Sequence, residues 1–451
     1  MYKTTEWSGH VTTLFRQSDD RVAVMTKQPP LASSERRKKT ENVLILQGGG
    51  SLGAFGCGVF KALAKRNIKI NIVAGTSIGG VNAAIIAGGG KNGESPKQSL
   101  ERFWMELSDS FINLGDRSGF SHHYYATAFP KLLAESLLSY YYGPHSLPGK
   151  REDRLSTRSE KEIRLEQLRS FTSSALFGND KMFEPRWLPE YASSDPEYFT
   201  PQKWTYLYDH SVLEKTLDRY IDYGKLNPHG NPNARLIITA TDVLNAKPLV
   251  FDSSRQQITP KHILATSGYP LYNFPWIKVE ENVYAWDGSL LSNTPLREVI
   301  AASPANNKRI FLVENYPKKI DVLPRNLPEV HHRARDIIFS DKSEHNVTMS
   351  KVITRYLRYI EELYQIIEKH VDHSEIDKRQ LERIRRKYRI YKEEHGAEIK
   401  KMYYISREEH FPHIYENADF SPKAIKILIE EGERKTDQAI GNHELEGATA
   451  L

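Results

Sequence analysis

The sequence predicts an α/β fold of three layers, in which a mainly parallel β-sheet lies between helices, followed by a C-terminal helical appendage. Two observations lead to this prediction. Residues 42–90 contain two short runs rich in β-branched residues, and each run is followed by a glycine turn and an apolar stretch with helical spacing. Short apolar runs between helices are typical of buried parallel strands. Beyond about residue 330 the apolar residues recur mainly with helical spacing, which predicts the appendage.

The first of the two units combines a strand at 43–47, a glycine turn and a helix that runs through Leu63. Its turn reads Gly48-Gly49-Gly50-Ser51-Leu52-Gly53. Successive backbone N–H groups at a helix N-terminus stabilise an anion, because these donors have no partner within the helix. The first turn is therefore a candidate anion-binding site.

The second unit combines a strand at 70–74 and a helix at 81–87. The turn between them is a G-x-S-x-G string, Gly75-Thr76-Ser77-Ile78-Gly79. Glycines at Gly75 and Gly79 permit a sharp strand-to-helix turn that exposes the Ser77 hydroxyl, as in a nucleophile elbow. A serine nucleophile beside an anion site on the neighbouring strand predicts acyl transfer.

The first turn also has a rival interpretation, since Gly48-x-Gly50-x-x-Gly53 matches the dinucleotide-binding fingerprint. That fingerprint requires an acidic residue near the end of the second strand to bind a ribose hydroxyl. No Asp or Glu occurs between Gln47 and Gly93, and the elbow takes the expected place. A nucleotide P-loop is excluded as well, because the chain has no G-x-x-x-x-G-K-[ST] string.

The middle of the chain is less regular. Ser95-Pro96 is expected to open a helix, but from about 110 to 205 the alternation of strands and helices lapses. This stretch carries aromatic patches around a charged segment at 151–169. The patches are His122-His123-Tyr124-Tyr125, Tyr140-Tyr141-Tyr142 and Phe183-Glu184-Pro185-Arg186-Trp187. Two interpretations remain open: a cap over the site, with patches that bind acyl chains, or a partly disordered loop.

Strand-like runs return at 235–241, 248–251, 283–286 and 309–313. Residues 242–245 form a tight connection between the first two, and helices are expected at 263–268 and up to Ile300. Asp287-Gly288-Ser289 follows the third run directly, so the Asp287 carboxylate is expected to project from a strand end.

The C-terminal part predicts a helical hairpin docked on the α/β body, then an edge strand at 402–405 and a last helix at 422–438. The outer face of the second hairpin helix is basic, which fits either solvent or a membrane surface. The predicted organisation is a flexible tail at 1–40, a catalytic domain at 41–320 with the cap-like insertion at 110–205, a mainly helical region at 321–440 and a tail at 441–451.

Composition excludes several classes of protein. The 451 residues contain no apolar run of 18 residues and no apolar leader after Met1, so neither a transmembrane helix nor a secretory signal is predicted. A net charge of +6 without a nucleic-acid-binding motif predicts no nucleic-acid partner, and leaves peripheral contact with an anionic membrane open. The lone cysteine, Cys57, is expected to be buried and fits a cytoplasmic location. No metal site is predicted, because His122-His123 lack partners at ligand spacing.

A serine hydroxyl needs a base to take its proton. Histidine is the usual base, but no downstream histidine has a context that singles it out: His262, His331, His332, His345 and His410. Asp287 stands at a strand end before a glycine, where partial desolvation would raise its pKa towards useful basicity. An Asp-Gly pair is also ordinary turn chemistry, so the residues alone leave the base open.

Three motifs together resemble the patatin-like phospholipases: Leu46 to Ala54, Gly75 to Gly79, and Asp287-Gly288-Ser289. The resemblance implies a fold related to the α/β hydrolases and a Ser–Asp dyad without a catalytic histidine. It implies Ser77 as the acyl-enzyme nucleophile and Asp287 as the base. It further implies an oxyanion hole formed by backbone N–H groups of the first turn, Gly48, Gly49, Gly50, Ser51 and Gly53, and no cofactor.

The similarity extends over about 41–440, to a long branch of the family with a C-terminal region of unassigned function. It is carried there by residues 182–186, 222–227 and 335–337. The chain departs from the family in two places. Many relatives have Arg or Lys where this chain has Leu52, and the third residue of the D-G-[GA] motif is Ser289. Both departures bear on the substrate rather than on the reaction type.

The sequence therefore predicts a serine hydrolase that cleaves carboxylic esters of lipids through an acylated Ser77. Two alternatives stay open: a hydrolase of short-chain or polyester substrates with the same dyad, and a non-catalytic lipid-binding scaffold. A conventional Ser-His-Asp hydrolase is a third. Acyl-chain length, head group, oligomeric state and the role of the C-terminal region are not indicated by the sequence.

Overall fold

A computed structural model describes residues 39–109, 170–171, 173–340, 343–371, 376–395, 397–409 and 416–449. The strands are β1 (Thr40–Leu46), β2 (Ile72–Thr76), β3 (Glu184–Pro185), β4 (Tyr208–Asp209), β5 (Arg235–Asp242), β6 (Pro248–Asp252), β7 (Ile277–Glu280), β8 (Val283–Asp287), β9 (Asn307–Glu314) and β10 (Ile399–Ser406). The helices are α1 (Gly53–Lys65), α2 (Ile78–Gly88), α3 (Pro96–Asp109), α4 (Val212–Leu217), α5 (Pro260–Ser267), α6 (Leu296–Ala302), α7 (Leu327–Phe339), α8 (Ser343–His370), α9 (Lys378–His395) and α10 (Pro422–Thr449).

Eight of these strands form one mixed sheet in the order β10-β9-β1-β2-β5-β8-β7, with β6 also paired to β5. The pairings from β10 to β5 are parallel, and those of β6, β7 and β8 are antiparallel. The predicted mainly parallel sheet is thus confirmed, with an antiparallel end that includes the strand before Asp287. The predicted edge strand near 402–405 is confirmed as β10.

The sheet is buried on both faces, as the run of apolar residues in β1 requires. Alternate side chains of a strand point to opposite faces. Leu44 and Leu46 pack in the core shared with α1, α2, α3 and α10. Val43 and Ile45 pack in a second core with Leu296 and Val299 of α6. Helices therefore flank the sheet on both sides, which confirms the three-layer prediction.

The last helix is longer and more central than the sequence indicated. It continues past residue 438 to Thr449 and packs closely along α1. A Cβ atom on Gly58 of α1 would lie 1.9 Å from the carbonyl oxygen of Ile429, and one on Gly432 would lie 2.2 Å from that of Phe55. The two helix backbones therefore approach each other closely through glycines. Cys57 of α1 is fully buried, as expected.

The predicted hairpin consists of α8 and α9, whose Tyr364 and Tyr388 rings stack with centroids 3.9 Å apart. Its apolar stripe is largely exposed within the described part of the chain: the exposed fraction is 65% for Tyr356 and 42% for Leu363. The hairpin contacts the α/β body through α8, which lies against α6 and whose Arg358 pairs with Glu398 at 2.8 Å. Among the described residues, none of the helices combines the length and apolar character needed to cross a bilayer.

Several predictions fall on residues outside the described ranges. These are the tail up to residue 38 and the insertion from 110 to 169 with its histidine and tyrosine patches. The described part of the insertion, from 170 onwards, contains β3 and short helical turns around Phe183 and Trp187.

Candidate active site

Ser77 lies at the sharp turn between β2 and α2. Its φ of 57° and ψ of −134° are unusual for a residue with a side chain, and such backbone strain costs about 1–3 kcal/mol. The backbone N–H of Ser77 donates to Thr266 Oγ at 3.1 Å, and the carbonyl of Ser77 accepts from Gly80 at 2.8 Å. The strained turn is thus held by hydrogen bonds on both sides of Ser77.

The glycines of the elbow are required by close backbone contacts. A Cβ atom on Gly75 would lie 2.1 Å from the carbonyl oxygen of Gly79. A Cβ atom on Gly79 would lie 2.2 Å from the carbonyl oxygen of Leu46 on β1. Neither position has room for a side chain, so the G-x-S-x-G spacing follows from the tightness of the turn at Gly75 and from its packing against β1 at Gly79.

The sheet register brings Asp287 to the end of the strand that carries Ser77. On β5, Thr239 is paired with Thr76, the last residue of β2, and the next residue, Ala240, is paired with Asp287. Strand β6 occupies the other edge of β5 at Ala240. Strand β8 therefore lies on the β2 side, directly beyond its end. Beyond Thr239, where β2 ends, the antiparallel strand β8 pairs with the same edge of β5. This arrangement brings Asp287 close to Ser77.

Asp287 is fully buried. Its Oδ1 accepts from the N–H of Ser289 at 2.8 Å and from the Ser289 hydroxyl at 2.7 Å. Its Oδ2 accepts no hydrogen bond within 3.5 Å from the described residues. Burial raises the pKa of Asp287 to about 6, although the side chains of Ser77 and Ser289 both favour the charged form. Gly288 packs against Thr239, where a Cβ would lie 2.6 Å from the carbonyl oxygen.

The glycine loop lies beside Ser77, but its five predicted residues differ in their contacts. Gly48 donates its N–H to Asn293 Oδ1 at 2.8 Å, and the N–H of Gly53 closes the helical turn at Gly50 and Ser51. Gly49 and Gly50 have positive φ values of 148° and 58°, and their N–H groups donate to no described residue. Both glycines line the same cavity as Ser77 and Asp287, which makes their N–H groups the candidate oxyanion donors.

Two asparagines that sequence reasoning missed hold this loop. Asn293 binds Gly48 and donates its own amide to the carbonyl of Phe339 at 2.9 Å. Asn315 donates to the carbonyls of Gln47 and Gly48 at 3.1 and 3.0 Å. Asn293 was visible in the sequence three residues before a predicted helix, but its partner on the loop is about 245 residues away. A sequence pattern within one segment cannot predict a hydrogen bond over such a distance.

A cavity of about 500 Å³ opens at Ser77. Its lining is mostly aromatic and aliphatic, and includes Met182, Phe183, Tyr208, Leu213, Tyr269, Phe274 and Phe339. The described part of the cap-like insertion thus contributes Phe171 and Phe183, the latter from a predicted aromatic patch. Such a lining suits an apolar ligand such as an acyl chain.

Among the candidate histidines, His262 and His332 have other partners and His331 is exposed. The side chains of His345 and His410 lie outside the described part of the chain. His262 Nδ1 accepts from the N–H of Thr259 at 2.9 Å in a helix cap, and burial lowers its pKa to about 4. His332 pairs with Glu409 at 2.8 Å. His210, which no sequence pattern singles out, lines the cavity, and its Nε2 lies 3.0 Å from the carbonyl oxygen of Leu264. A carbonyl only accepts, so Nε2 carries the proton.

A buried cluster of charges lies at the rim of the cavity, where Arg335 contributes to the lining. It contains His332, Asp336, Glu409 and Glu416, whose ligand atoms lie within 4.8 Å of one another. Arg335 and Arg407 are inserted among them, at 2.7 and 2.9 Å from Glu416. The carboxylates are thus paired with guanidinium groups, which is the usual way to bury charge and is unlike a metal site.

The chain matches the family model described as patatin-like phospholipase over residues 44–300, more than half of its length. No curated protein matches it. Among solved structures, VipD from Legionella pneumophila is 14% identical, with 93% of this chain and 72% of VipD covered and a TM-score of 0.34. The type III effector protein ExoU is 11% identical, with 90% of this chain and 54% of ExoU covered and a TM-score of 0.31.

The chain thus spans about half the length of ExoU, which another solved structure places in the type III secretion system of Pseudomonas aeruginosa. Identities and TM-scores this low leave these as likenesses, so the assignment rests on the family model. The elbow, the glycine loop and Asp287 all lie within the matched residues. The chain belongs to the patatin-like phospholipase family.

Proposed function

We propose that the chain is a serine lipid acyl hydrolase that cleaves carboxylic ester bonds with a Ser77–Asp287 dyad. Membership of the patatin-like phospholipase family supports lipase or phospholipase activity. The observation that carries the finer proposal is the position of Asp287. It is a buried carboxylate at the end of the Ser77 strand, it lines the same apolar cavity, and its pKa is raised to about 6.

In the first step, the Ser77 hydroxyl attacks the carbonyl carbon of the ester while Asp287 takes its proton. The carbonyl oxygen becomes an oxyanion. The tetrahedral intermediate then collapses, the alcohol part of the lipid leaves with the proton from Asp287, and the acyl group stays on Ser77. In the second step, Asp287 takes a proton from water, which attacks the acyl-Ser77 carbonyl. The fatty acid leaves, and Ser77 regains its proton.

The N–H groups of Gly49 and Gly50 are the proposed donors to the oxyanion. They line the cavity and donate to no other described group, so they need not break a bond to receive the charge. Fixed donors of this kind are worth about 2.7–4 kcal/mol each in the transition state. The other predicted loop residues, Gly48, Ser51 and Gly53, have contacts that shape the loop.

The lining of the cavity supports a lipid acyl chain as the group bound next to Ser77. Burial of each CH₂ group in such a lining contributes about 0.8 kcal/mol. Leu271 and Tyr272 line the cavity and are also exposed, by 74% and 41%, so apolar surface continues to its mouth. We therefore expect phospholipids or other acylglycerol-type esters in aggregates to be better substrates than dispersed short-chain esters.

The test measures fatty acid release from phosphatidylcholine vesicles and from a dispersed short-chain ester. Ser77→Ala and Asp287→Asn are expected to lower the release by at least about 10³-fold, because each removes a group that reacts. Asp252→Asn is the matched control. It also neutralises a buried aspartate, but one that is paired with Arg235 on the neighbouring strands. It should keep the activity per folded molecule.

If the short ester is hydrolysed and vesicles give no higher rate, the substrate is a short-chain ester or a polyester rather than a lipid. Vesicle binding without Ser77-dependent hydrolysis would contradict the proposal and favour a non-catalytic lipid-binding scaffold.

A further inference from the structure

We propose that Glu416 is a positioning residue for the glycine loop, which carries the proposed oxyanion donors. The C-terminal region, beyond the residues that match the family model, would then complete the active site. The inference rests on the proposed function for its catalytic consequence, but its structural part can be tested without activity. It is carried by three sets of contacts: between the 416–418 segment (Glu416–Ala418) and the glycine loop, between Glu416 and two buried arginines, and between one of these arginines and the loop.

The 416–418 segment lies directly against the glycine loop. A Cβ atom on Gly50 would lie 2.1 Å from the carbonyl oxygen of Asn417, so that oxygen is packed on the Gly50 backbone. The Ser51 hydroxyl donates to the carbonyl of Glu416 at 2.7 Å, and Ser51 is fully buried. Two successive carbonyls of the segment thus contact two successive residues of the loop.

The Glu416 carboxylate fixes the segment to the body of the protein. Its Oε1 accepts from Arg335 of α7 at 2.7 Å and from Arg407, just after β10, at 2.9 Å. All three side chains are more than nine-tenths buried. Charged hydrogen bonds in such surroundings are strong and directional. The carbonyls of residues 416 and 417 are therefore held at one distance from the loop.

Arg407 reaches the same loop by a second route. Its Nε donates to the carbonyl of Asn315 at 2.8 Å, and the Asn315 side chain donates to the carbonyls of Gln47 and Gly48. The loop is thus fixed at two places: Asn315 hydrogen-bonds to its start, and the 416–418 segment contacts Gly50 and Ser51. Arg407, which pairs with Glu416 and binds Asn315, therefore connects the two sets of contacts.

Gly49 and Gly50, whose N–H groups are the proposed oxyanion donors, lie between the carbonyls bound by Asn315 and the Ser51 hydroxyl bound by Glu416. Both glycines have positive φ values, and glycine has the widest backbone freedom of any residue. A loop of such residues keeps its N–H groups aimed at one point only if its surroundings fix it. Loosening the 416–418 segment should therefore misplace the donors without altering Ser77 or Asp287.

The experiment compares Glu416→Gln with Glu409→Gln in the full chain. Glu409 belongs to the same buried cluster and also pairs with Arg407, at 3.3 Å, but none of the described residues next to it approaches the glycines of the loop. Glu416→Gln is expected to lower kcat about 10- to 100-fold with KM little changed, since displacement of catalytic donors by about 1 Å has effects of that size. Glu409→Gln should lower kcat far less at equal loss of thermal stability.

Amide hydrogen exchange supplies a readout that does not need activity. The N–H groups of Leu52 and Gly53 bond to the carbonyls of Gly49 and Gly50, so their exchange reports the order of the loop. Exchange there should be faster in Glu416→Gln than in wild type and Glu409→Gln. If Glu416→Gln folds poorly, Ser51→Ala removes only the hydrogen bond to the Glu416 carbonyl and should give the same changes at a smaller size.

Equal kcat and equal exchange in the two glutamine variants would overturn the inference. Faster exchange in Glu416→Gln, with a wild type that shows no Ser77-dependent hydrolysis, would leave the positioning role standing and remove the proposed function. If wild type hydrolyses the lipid normally and neither Glu416→Gln nor Ser51→Ala changes the exchange of the loop, the proposed function stands and the positioning role of Glu416 is removed.

Discussion

Asp287 is subject to two opposing influences. Burial disfavours its charge and raises its pKa to about 6, while the side chain of Ser77 and the hydrogen bonds from Ser289 favour the charged form. A carboxylate at its ordinary pKa near 3.8 would be a weak base. With a pKa of about 6, Asp287 would be ionised at neutral pH, and in the proposed dyad it would accept the proton of Ser77.

The acidic limb of kcat/KM against pH should therefore lie near pH 6, because the base must be ionised in the free enzyme. Ser289→Ala removes the hydroxyl that donates to Asp287 Oδ1 at 2.7 Å. A hydrogen bond to a charged group is worth about 1.5–3 kcal/mol, so the limb should move about 1–2 pH units higher. A pH-rate profile of the two proteins checks this. A limb that stays in place would show that the Ser289 hydroxyl does not stabilise the charge.

At the scale of residues, sequence patterns predicted what depends on local geometry. The G-x-S-x-G string indicated the elbow because its glycines face backbone atoms at close range. The partners that fix the loop were not predictable. Asn293, Asn315 and Glu416 contact the loop although they lie hundreds of residues away in the sequence. The spacing of the glycines in the turn does not indicate that the Gly48 N–H is bonded to Asn293.

Among the elements, the contact between α1 and α10 ties the end of the chain to its first helix. The two backbones touch at Gly58 and Gly432, with the carbonyls of Ile429 and Phe55 in the space that side chains would need. The helical pattern of α10 predicted a helix at 422–438 but not its place. Periodicity identifies the buried side of a helix, whereas the surface it packs on depends on the whole fold.

Replacement of Gly432 by alanine should destabilise the protein, even though alanine favours a helix interior by about 1 kcal/mol. The added Cβ would lie 2.2 Å from the Phe55 carbonyl and would force the helices apart. Gly441→Ala is the matched control on the same helix, because a Cβ there meets no described atom within 4 Å. Thermal unfolding should show a lower Tm for Gly432→Ala and an equal or higher Tm for Gly441→Ala. The reverse order would contradict the close packing.

Across the whole molecule, the buried ion cluster joins α7, the end of β10 and the 416–418 segment. All of these follow residue 300, where the family match ends. In this cluster the side chains of His332, Arg335 and Arg407 pair with the carboxylates of Asp336, Glu409 and Glu416. This cluster could not be predicted from the sequence, because its residues are spread over three separate segments and show no common spacing.

His332 gives the cluster a dependence on pH. Burial lowers its pKa, but hydrogen bonds to Asp336 and Glu409 outweigh burial and raise the pKa to about 9. A histidine with a raised pKa contributes stability that is fully present below its unfolded pKa of about 6.5 and is lost as pH rises through 9. Unfolding by denaturant should thus show stability falling between pH 6.5 and 9. His332→Gln should flatten this fall, and an unchanged pH dependence would argue against a charged His332.

The central claim, a Ser77 nucleophile activated by Asp287, is tested most directly by the intact mass of the protein after incubation with a fluorophosphonate probe. We expect one adduct on wild type, none on Ser77→Ala and a much slower one on Asp287→Asn. Ser211→Ala, which removes an exposed hydroxyl elsewhere, should label like wild type. A folded wild type that takes no label, or an adduct that persists in Ser77→Ala, would contradict the claim.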